Sequence, residues 1–323
     1  SVFFANSGGE AVECGLKMIR KYHAENGASG RYRVITCEGA FHGRTLATIS
    51  AGGQAKYLEG FGPKLPGFKQ LPFGDHDALR LAIAEPDVAA ILIEPIQGEG
   101  GIRSVPPQCL TGLRELCDER GVLLIYDEVQ TGIGRTGRFY AYQHSGAAPD
   151  ILASAKGIGG GFPLGACLAT EACASAMTAG THGSTYGGNP LAMAVGNVVW
   201  DIISSEDFLA EVRRVSGTLA QGLKSLADSH PDKVEAVTGK GLLTGLKMKS
   251  DPKSLQGVCR DKNLLVGVAG NMVLRLAPPL VITDDNVREA TGIIDAALSE
   301  WEGCSQNISW RPYWRQGVRP MPL

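Results

Sequence analysis

A long cationic side chain stands in an odd place in this chain. Lys156 lies within Ser154-Ala155-Lys156-Gly157-Ile158-Gly159-Gly160-Gly161, a run of small residues that offers it little to pack against. Upstream, the apolar run Val122-Leu123-Leu124-Ile125-Tyr126 ends in Asp127-Glu128. A lysine in a glycine-rich pocket, with a carboxylate from a buried strand close by, is the pairing that Schiff-base chemistry needs. A carboxylate at the end of such a strand is costly unless it is paired. Asp127 is therefore expected to face a cation or a protonated ring nitrogen, or to serve a structural salt bridge. Ser7-Gly8-Gly9 opens a helix after a short apolar run. Two glycines there leave backbone N–H groups open to an anion; a phosphate site and an ordinary helix cap both fit. The stretch Thr181 to Pro190, rich in hydroxyls and glycines, reads as a second anion-binding loop or as a turn and cap.

These residues need elements to hold them. Ser1-Val2-Phe3-Phe4 reads as a short buried strand. Ser7 and Glu10 make a capping-box pattern, and apolar residues at 11, 12, 16, 19 and 22 continue a helix that Asn26-Gly27 closes. Arg33-Val34-Ile35-Thr36 is a predicted strand, as are Val88 to Ile93 and Val122 to Tyr126. Helices are predicted over 76–84 and 107–120. Short apolar strands alternating with helices argue for an α/β fold with a mostly parallel sheet flanked by helices. Ligand sites then belong in the loops at the carboxyl ends of the strands, where Asn6 to Gly9, Glu94 to Gly101, Asp127 to Gly134 and Lys156 to Gly161 fall. A helix follows Asn189-Pro190 to about Ile203. Beyond it the pattern changes: a helix over 207–229, strands around Gly241-Leu242-Leu243 and Val273-Leu274-Arg275-Leu276, and a helix over 284–301. This predicts a large domain over 1–203, a smaller C-terminal α+β domain over 204–302, and an irregular tail over 303–323.

Composition excludes several classes. The 323 residues carry a net charge of −2, which gives no reason to expect nucleic acid or an anionic membrane as partner. Hydrophobic content is 44% and charged content 20%, as in ordinary soluble proteins. No apolar run reaches transmembrane length, and nothing resembles a signal peptide. Cys14, Cys37, Cys109, Cys117, Cys167, Cys173, Cys259 and Cys304 include no C-x-x-C pair and no metal-ligand spacing. They read as reduced thiols that mostly fill the core of a cytoplasmic protein, with no metal site.

Six motifs in order carry a resemblance over residues 1 to about 298. They are Phe3-Phe4-Ala5-Asn6-Ser7-Gly8-Gly9-Glu10, Phe41-His42-Gly43-Arg44-Thr45, Ile93-Glu94-Pro95-Ile96-Gln97-Gly98-Glu99-Gly100-Gly101, Asp127-Glu128-Val129-Gln130-Thr131-Gly132, Ala155-Lys156-Gly157 and Thr181 to Pro190. Together they resemble the class III pyridoxal-phosphate aminotransferases of fold type I, and among these the acetylornithine aminotransferases of bacterial arginine biosynthesis.

The resemblance implies roles. Lys156 would hold pyridoxal 5′-phosphate as a Schiff base and shuttle the proton. Asp127 would keep the ring nitrogen protonated. Val129 and Phe41 would cover the two ring faces, Gln130 would reach the phenolic oxygen, and Ser7, Gly8 and Gly9 would hold the phosphate. Thr185 would reach the phosphate of a partner subunit, making a homodimer with shared active sites. Arg44 would grip the α-carboxylate of N2-acetylornithine, which Ser184 would also touch. Arg275 would bind the α-carboxylate of glutamate or 2-oxoglutarate, and Glu99 would mask it while the basic donor binds, unless the two form a fixed salt bridge. The implied reaction moves the δ-amino group of N2-acetylornithine to 2-oxoglutarate, with succinyl-diaminopimelate as a further substrate. Ornithine, succinylornithine and 4-aminobutyrate aminotransferases, glutamate-semialdehyde aminomutase and an inactive cofactor-binding fragment stay open as alternatives. A nucleotide-binding module fits less well, because Gly157 to Gly161 lacks the strand–G-x-G-x-x-G–helix context. Chains of this family begin well before Ser1, so an N-terminal truncation is expected.

Overall fold

A computed structural model describes residues 1–303; apart from Gly303, the expected irregular tail 303–323 lies outside the described residues. Seven strands form one sheet in the spatial order Val2–Ala5, Gly165–Ala169, Ile151–Ser154, Leu123–Asp127, Val88–Ile93, Arg33–Cys37, Phe68–Leu71. Gly165–Ala169 pairs antiparallel with both neighbours, and the remaining pairs are parallel. Val88–Ile93 is buried at every position, as a central strand covered on both faces must be.

Helices cover both faces. The helix Gly8–Glu25 lays Ala11, Val12, Leu16 and Ile19 on Ile125 and Ile151. Its start follows from the Ser7 side chain, which accepts the Glu10 N–H, while the Glu10 carboxylate accepts the Asn6 N–H at 2.6 Å. On the other face His76–Ile83 and Pro107–Arg120 pack Ile83, Leu110 and Leu113 against Ile91, Leu124 and Tyr126. A second sheet, Val234–Lys240, Leu243–Met248, Val273–Leu276, Gly267–Ala269, is antiparallel throughout. It shares a separate core with the helices Glu206–Ser229, Lys253–Asp261 and Asp284–Glu300.

Two expectations need correcting. Val2–Ala5 is an edge strand with Val2 half exposed, because it pairs only with Gly165–Ala169. Gly241 and Leu242 form the turn between Val234–Lys240 and Leu243–Met248 rather than a strand. Leu242 is nonetheless fully buried, since its N–H donates to the Arg135 carbonyl at 3.0 Å and docks the turn on the loop beyond Asp127.

Candidate active site

The parallel strands deliver their carboxyl ends to one edge of the large sheet, and the loops that leave them enclose a cavity of about 370 Å³. Asn6, Ser7, Gly8 and Gly9 form one wall at the helix start, and Phe41 and His42 another. Glu94, Glu99, Asp127, Val129, Gln130, Lys156 and Phe162 complete it. The volume lies within the range of small-molecule sites.

Lys156 sits at the turn after Ile151–Ser154 with φ of 49°, in the left-handed region that a residue with a Cβ seldom adopts. Among the described residues its amine has no hydrogen-bond or ion-pair partner. Solvent reaches the side chain through the cavity mouth, yet the protein packed around the amine is the dominant influence. Burial lowers its pKa; Asp127, Glu94 and Glu99 oppose that in part.

Asp127 is 4% exposed. Its Oδ2 lies 2.8 Å from Nδ1 of the fully buried His42, and its Oδ1 accepts the Val129 N–H at 3.1 Å. Each carboxylate oxygen keeps acceptor capacity for a further donor. Burial by itself would lower the His42 pKa, but the hydrogen bond and charge of Asp127, with the charge of Glu94, raise it overall. Two buried polar atoms here lack partners among the described residues: His42 Nε2 and Gln130 Oε1.

Gly8 and Gly9 are the first two helical residues, so their N–H groups have no intrahelical acceptor. A Cβ on Gly8 would stand 2.7 Å from Val129 Cγ1, so the close approach of helix and strand loop requires glycine. Phe41 meets Tyr57 edge-on, with centroids 5.4 Å apart. At the rim, Arg275 donates to Glu99 Oε1 at 2.6 Å and to the Gly98 carbonyl at 3.2 Å.

The structure thus brings Ser7, Gly8, Gly9, Phe41, Glu99, Asp127, Val129, Gln130 and Lys156 onto one cavity, with Arg275 paired at its edge. Three expected residues stand outside it. Arg44 is exposed and lies over the Tyr57 ring at 4.2 Å. Ser184 accepts from Asn6 Nδ2 at 3.2 Å, behind the wall, and Thr185 is exposed. Two residues were not singled out as site residues: His42 and Glu94. Glu94 closes the apolar strand Val88–Ile93 just as Asp127 closes its own, and the same cost of an unpaired buried carboxylate could have flagged it. His42, whose pKa is raised, is the partner that the Asp127 argument required.

Three buried groups hold protons more firmly than usual. Burial pushes Glu94 up to about 7 and Glu128 likewise up to about 7, the latter despite hydrogen bonds from Thr131, Ala141 and Tyr142. His42 is raised as described. A group with a raised pKa in the folded chain stabilises it below the unfolded pKa and loses that contribution as pH rises through the folded one. For the two glutamates the loss runs from the ordinary carboxylate range to about 7, and for His42 it begins at about 6.5. Burial lowers the pKa of His23, His144 and His182, which works the other way over the same range, so the test isolates one group. Glu128→Gln, which cannot ionise, is expected to gain melting temperature relative to wild type as pH rises from about 5 to about 7. Scanning calorimetry of both chains measures the difference, and a difference that does not grow with pH would refute the assignment.

Comparison with known proteins agrees on the family. Residues 1–298 match the family model described as aminotransferase class-III. This chain belongs to the class-III aminotransferases. It is 59% identical over 298 residues to an acetylornithine aminotransferase of Agrobacterium fabrum, covering 92% of this chain and 74% of that protein. Among solved structures, the ornithine aminotransferase of Toxoplasma gondii aligns with a TM-score of 0.87 at 35% identity, covering 92% of this chain and 72% of that one. A PLP-bound amine transaminase from an uncultivated Pseudomonas species aligns at 0.85 and 33% identity, covering 92% and 76%. The expected fold type I, with its mostly parallel sheet, is the fold of these class-III neighbours and of this chain. No helix among the described residues is long and apolar enough to cross a membrane.

Proposed function

We propose that this chain is a pyridoxal-phosphate-dependent transaminase that moves the δ-amino group of N2-acetylornithine to 2-oxoglutarate, giving N-acetylglutamate 5-semialdehyde and glutamate. The observation that carries the reading is the unpartnered Lys156 amine on a cavity walled by the open N–H groups of Gly8 and Gly9 and by buried Asp127. The acetylornithine aminotransferase at 59% identity supports the donor. Succinyl-diaminopimelate remains a further candidate substrate.

The residues present fit the cofactor. Gln130 Oε1 and His42 Nε2 are buried polar atoms without partners among the described residues, in a cavity where such atoms need a polar ligand or water. Pyridoxal phosphate, when bound, supplies an aldehyde for the amino group and a ring that withdraws electrons from the carbon that carried it. Ser7, Gly8 and Gly9 would hold its phosphate, Phe41 and Val129 its two faces, and Gln130 its phenolic oxygen. Asp127, ordered by His42 and the Val129 N–H, would hold the proton of the ring nitrogen. Lys156 Nζ would move the proton at the substrate carbon, a task that its lowered pKa favours near neutral pH.

Arg44 and Ser184 would contact N2-acetylornithine, and Arg275 the α-carboxylate of glutamate or 2-oxoglutarate. The Arg275–Glu99 contact would be the masked state of such an arginine, and both side chains are partly exposed at the cavity rim. Glu99→Gln is expected to raise the ratio of kcat/KM for glutamate to that for N2-acetylornithine about tenfold, the worth of one charge-assisted hydrogen bond. Single-turnover half-reactions with each donor measure it; an unchanged ratio would remove the switch.

We read 1–203 as the large domain and 204–302 as the small one, in line with their separate cores. The working unit is read as a cytoplasmic homodimer. The helix Pro190–Ile203 leaves Leu191, Val198 and Ile202 more than half exposed along one side, an apolar face suited to a second copy. In such a dimer Thr185, exposed on the loop before that helix, would serve the phosphate of the second copy. The test of the whole reading is to add pyridoxal phosphate, follow the visible band, and then add N2-acetylornithine, ornithine and 4-aminobutyrate separately. Bleaching by N2-acetylornithine in preference to the others is the expected result, and preference for another donor would reassign the substrate.

A further inference from the structure

Glu94 has a carboxylate that reaches two loops at once. It is 6% exposed at the end of the strand Val88–Ile93. Its Oε1 accepts the Phe41 N–H at 3.0 Å, and its Oε2 accepts the Gly98 N–H at 3.1 Å. The other side of Gly98 is held as well, because its carbonyl accepts from Arg275 Nη1 at 3.2 Å. The same Arg275 nitrogen binds Glu99 Oε1 at 2.6 Å, and the Glu99 carbonyl accepts the Gly270 N–H at 2.8 Å. Gly98 lies directly against Gln130, since a Cβ there would fall 1.4 Å from Gln130 Oε1.

We propose that Glu94 is a positioning residue that ties the Phe41 loop to the Gly98-Glu99 loop and so sets how readily Glu99 uncovers Arg275. The inference rests on the substrate switch proposed above and names the part of the fold that holds it closed. A swing of Glu99 away from Arg275 turns the chain about Gly98, whose N–H Glu94 fixes. With that bond gone, both contacts that Gly98-Glu99 makes to Arg275 loosen together. Phe41 loosens too, because its N–H shares the same carboxylate. A carboxylate accepts at both oxygens, whereas a glutamine amide accepts at one and presents N–H groups at the other. Glu94→Gln therefore keeps one tie and opposes the other. Glu94→Asp keeps the charge but is one methylene short of reaching both amides.

The test uses the full chain, wild type and the variants Glu94→Gln, Glu94→Asp, Glu99→Gln and the double variant Glu94→Gln/Glu99→Gln. Amide hydrogen exchange, measured without substrate, is expected to quicken about tenfold in both Glu94 variants at whichever of Phe41 and Gly98 loses its acceptor. With pyridoxal phosphate added, Glu94→Gln should move the glutamate to N2-acetylornithine ratio of kcat/KM in the same direction as Glu99→Gln. The double variant should show little further change, because both substitutions open one latch. Equal losses on both donors, a double variant whose ratio is the product of the singles, or exchange unchanged at both Phe41 and Gly98 would each overturn the proposal. If N2-acetylornithine fails to bleach the wild-type band, the substrate reading fails. The exchange measurement still decides whether Glu94 joins the loops, and the ratio is then taken with the donor that does react.

Discussion

Lys156→Ala abolishes the visible absorption that pyridoxal phosphate acquires on the wild-type chain and lowers kcat by roughly 10⁴-fold, the upper end of what one positioned proton-transfer group contributes. The expectation follows from the isolation of the amine. Among the described residues it has no hydrogen bond or ion pair to lose, so its position on the cavity wall serves no visible structural purpose. The backbone points the same way: a φ of 49° at a non-glycine residue is a cost that the fold bears at this position. Removing the side chain should leave the melting temperature nearly unchanged, since no hydrogen bond or ion pair is lost and the charges of Asp127, Glu94 and Glu99 only partly offset the burial of the amine. Lys156→Arg should be as inactive as the alanine variant, because a guanidinium keeps its proton and is no nucleophile. Absorbance titration with the cofactor and a thermal melt of both variants measure these outcomes. A band that survives Lys156→Ala unchanged would remove the lysine from the chemistry.

Asp127→Asn is expected to lower kcat by roughly 10³-fold, comparable to removal of a preorganised electrostatic group from an active site. Asparagine keeps the shape and can still accept the Val129 N–H, so the loss reports charge. Two effects combine. The ring nitrogen would lose the carboxylate that holds its proton. His42 would also lose the hydrogen bond and the charge of Asp127 that raise its pKa, leaving burial, the largest influence, opposed only by the charge of Glu94. The His42 titration, followed by NMR, should therefore move to lower pH in Asp127→Asn. A variant that loses activity while His42 titrates as before would mean that the two side chains are not coupled.

Much of this site was legible before any fold was known, for reasons visible in particular residues. Glycine and proline mark backbone positions. Ser7-Gly8-Gly9 announces a helix start and Asn189-Pro190 another, and both helices begin there. Val88 to Ile93 is apolar throughout, which only a strand covered on both faces requires. A cation among glycines and a carboxylate at a strand end are each out of place locally, so Lys156 and Asp127 stood out without a partner in view. The strands Phe68–Leu71, Ile151–Ser154 and Gly165–Ala169 did not, because four or five residues with small or mixed side chains carry no period to read.

Other features depended on neighbours far along the chain. The apolar Val2–Ala5 is an edge strand because nothing pairs beyond it in the described sheet, and the apolar Leu242 is a buried turn because the Arg135 loop covers it. Arg44 and Thr185 match their motifs by residue type, yet the folded chain leaves both outside the cavity. His42 stands 85 residues from Asp127, and Arg275 stands 176 from Glu99. Residue type and local spacing alone determined which groups could do chemistry here and which ends of the strands would carry them. Tertiary structure alone decided which groups meet, because a buried charge takes its partner from whatever the sheet order and the second domain bring within about 3 Å, and sequence separation says nothing of that distance.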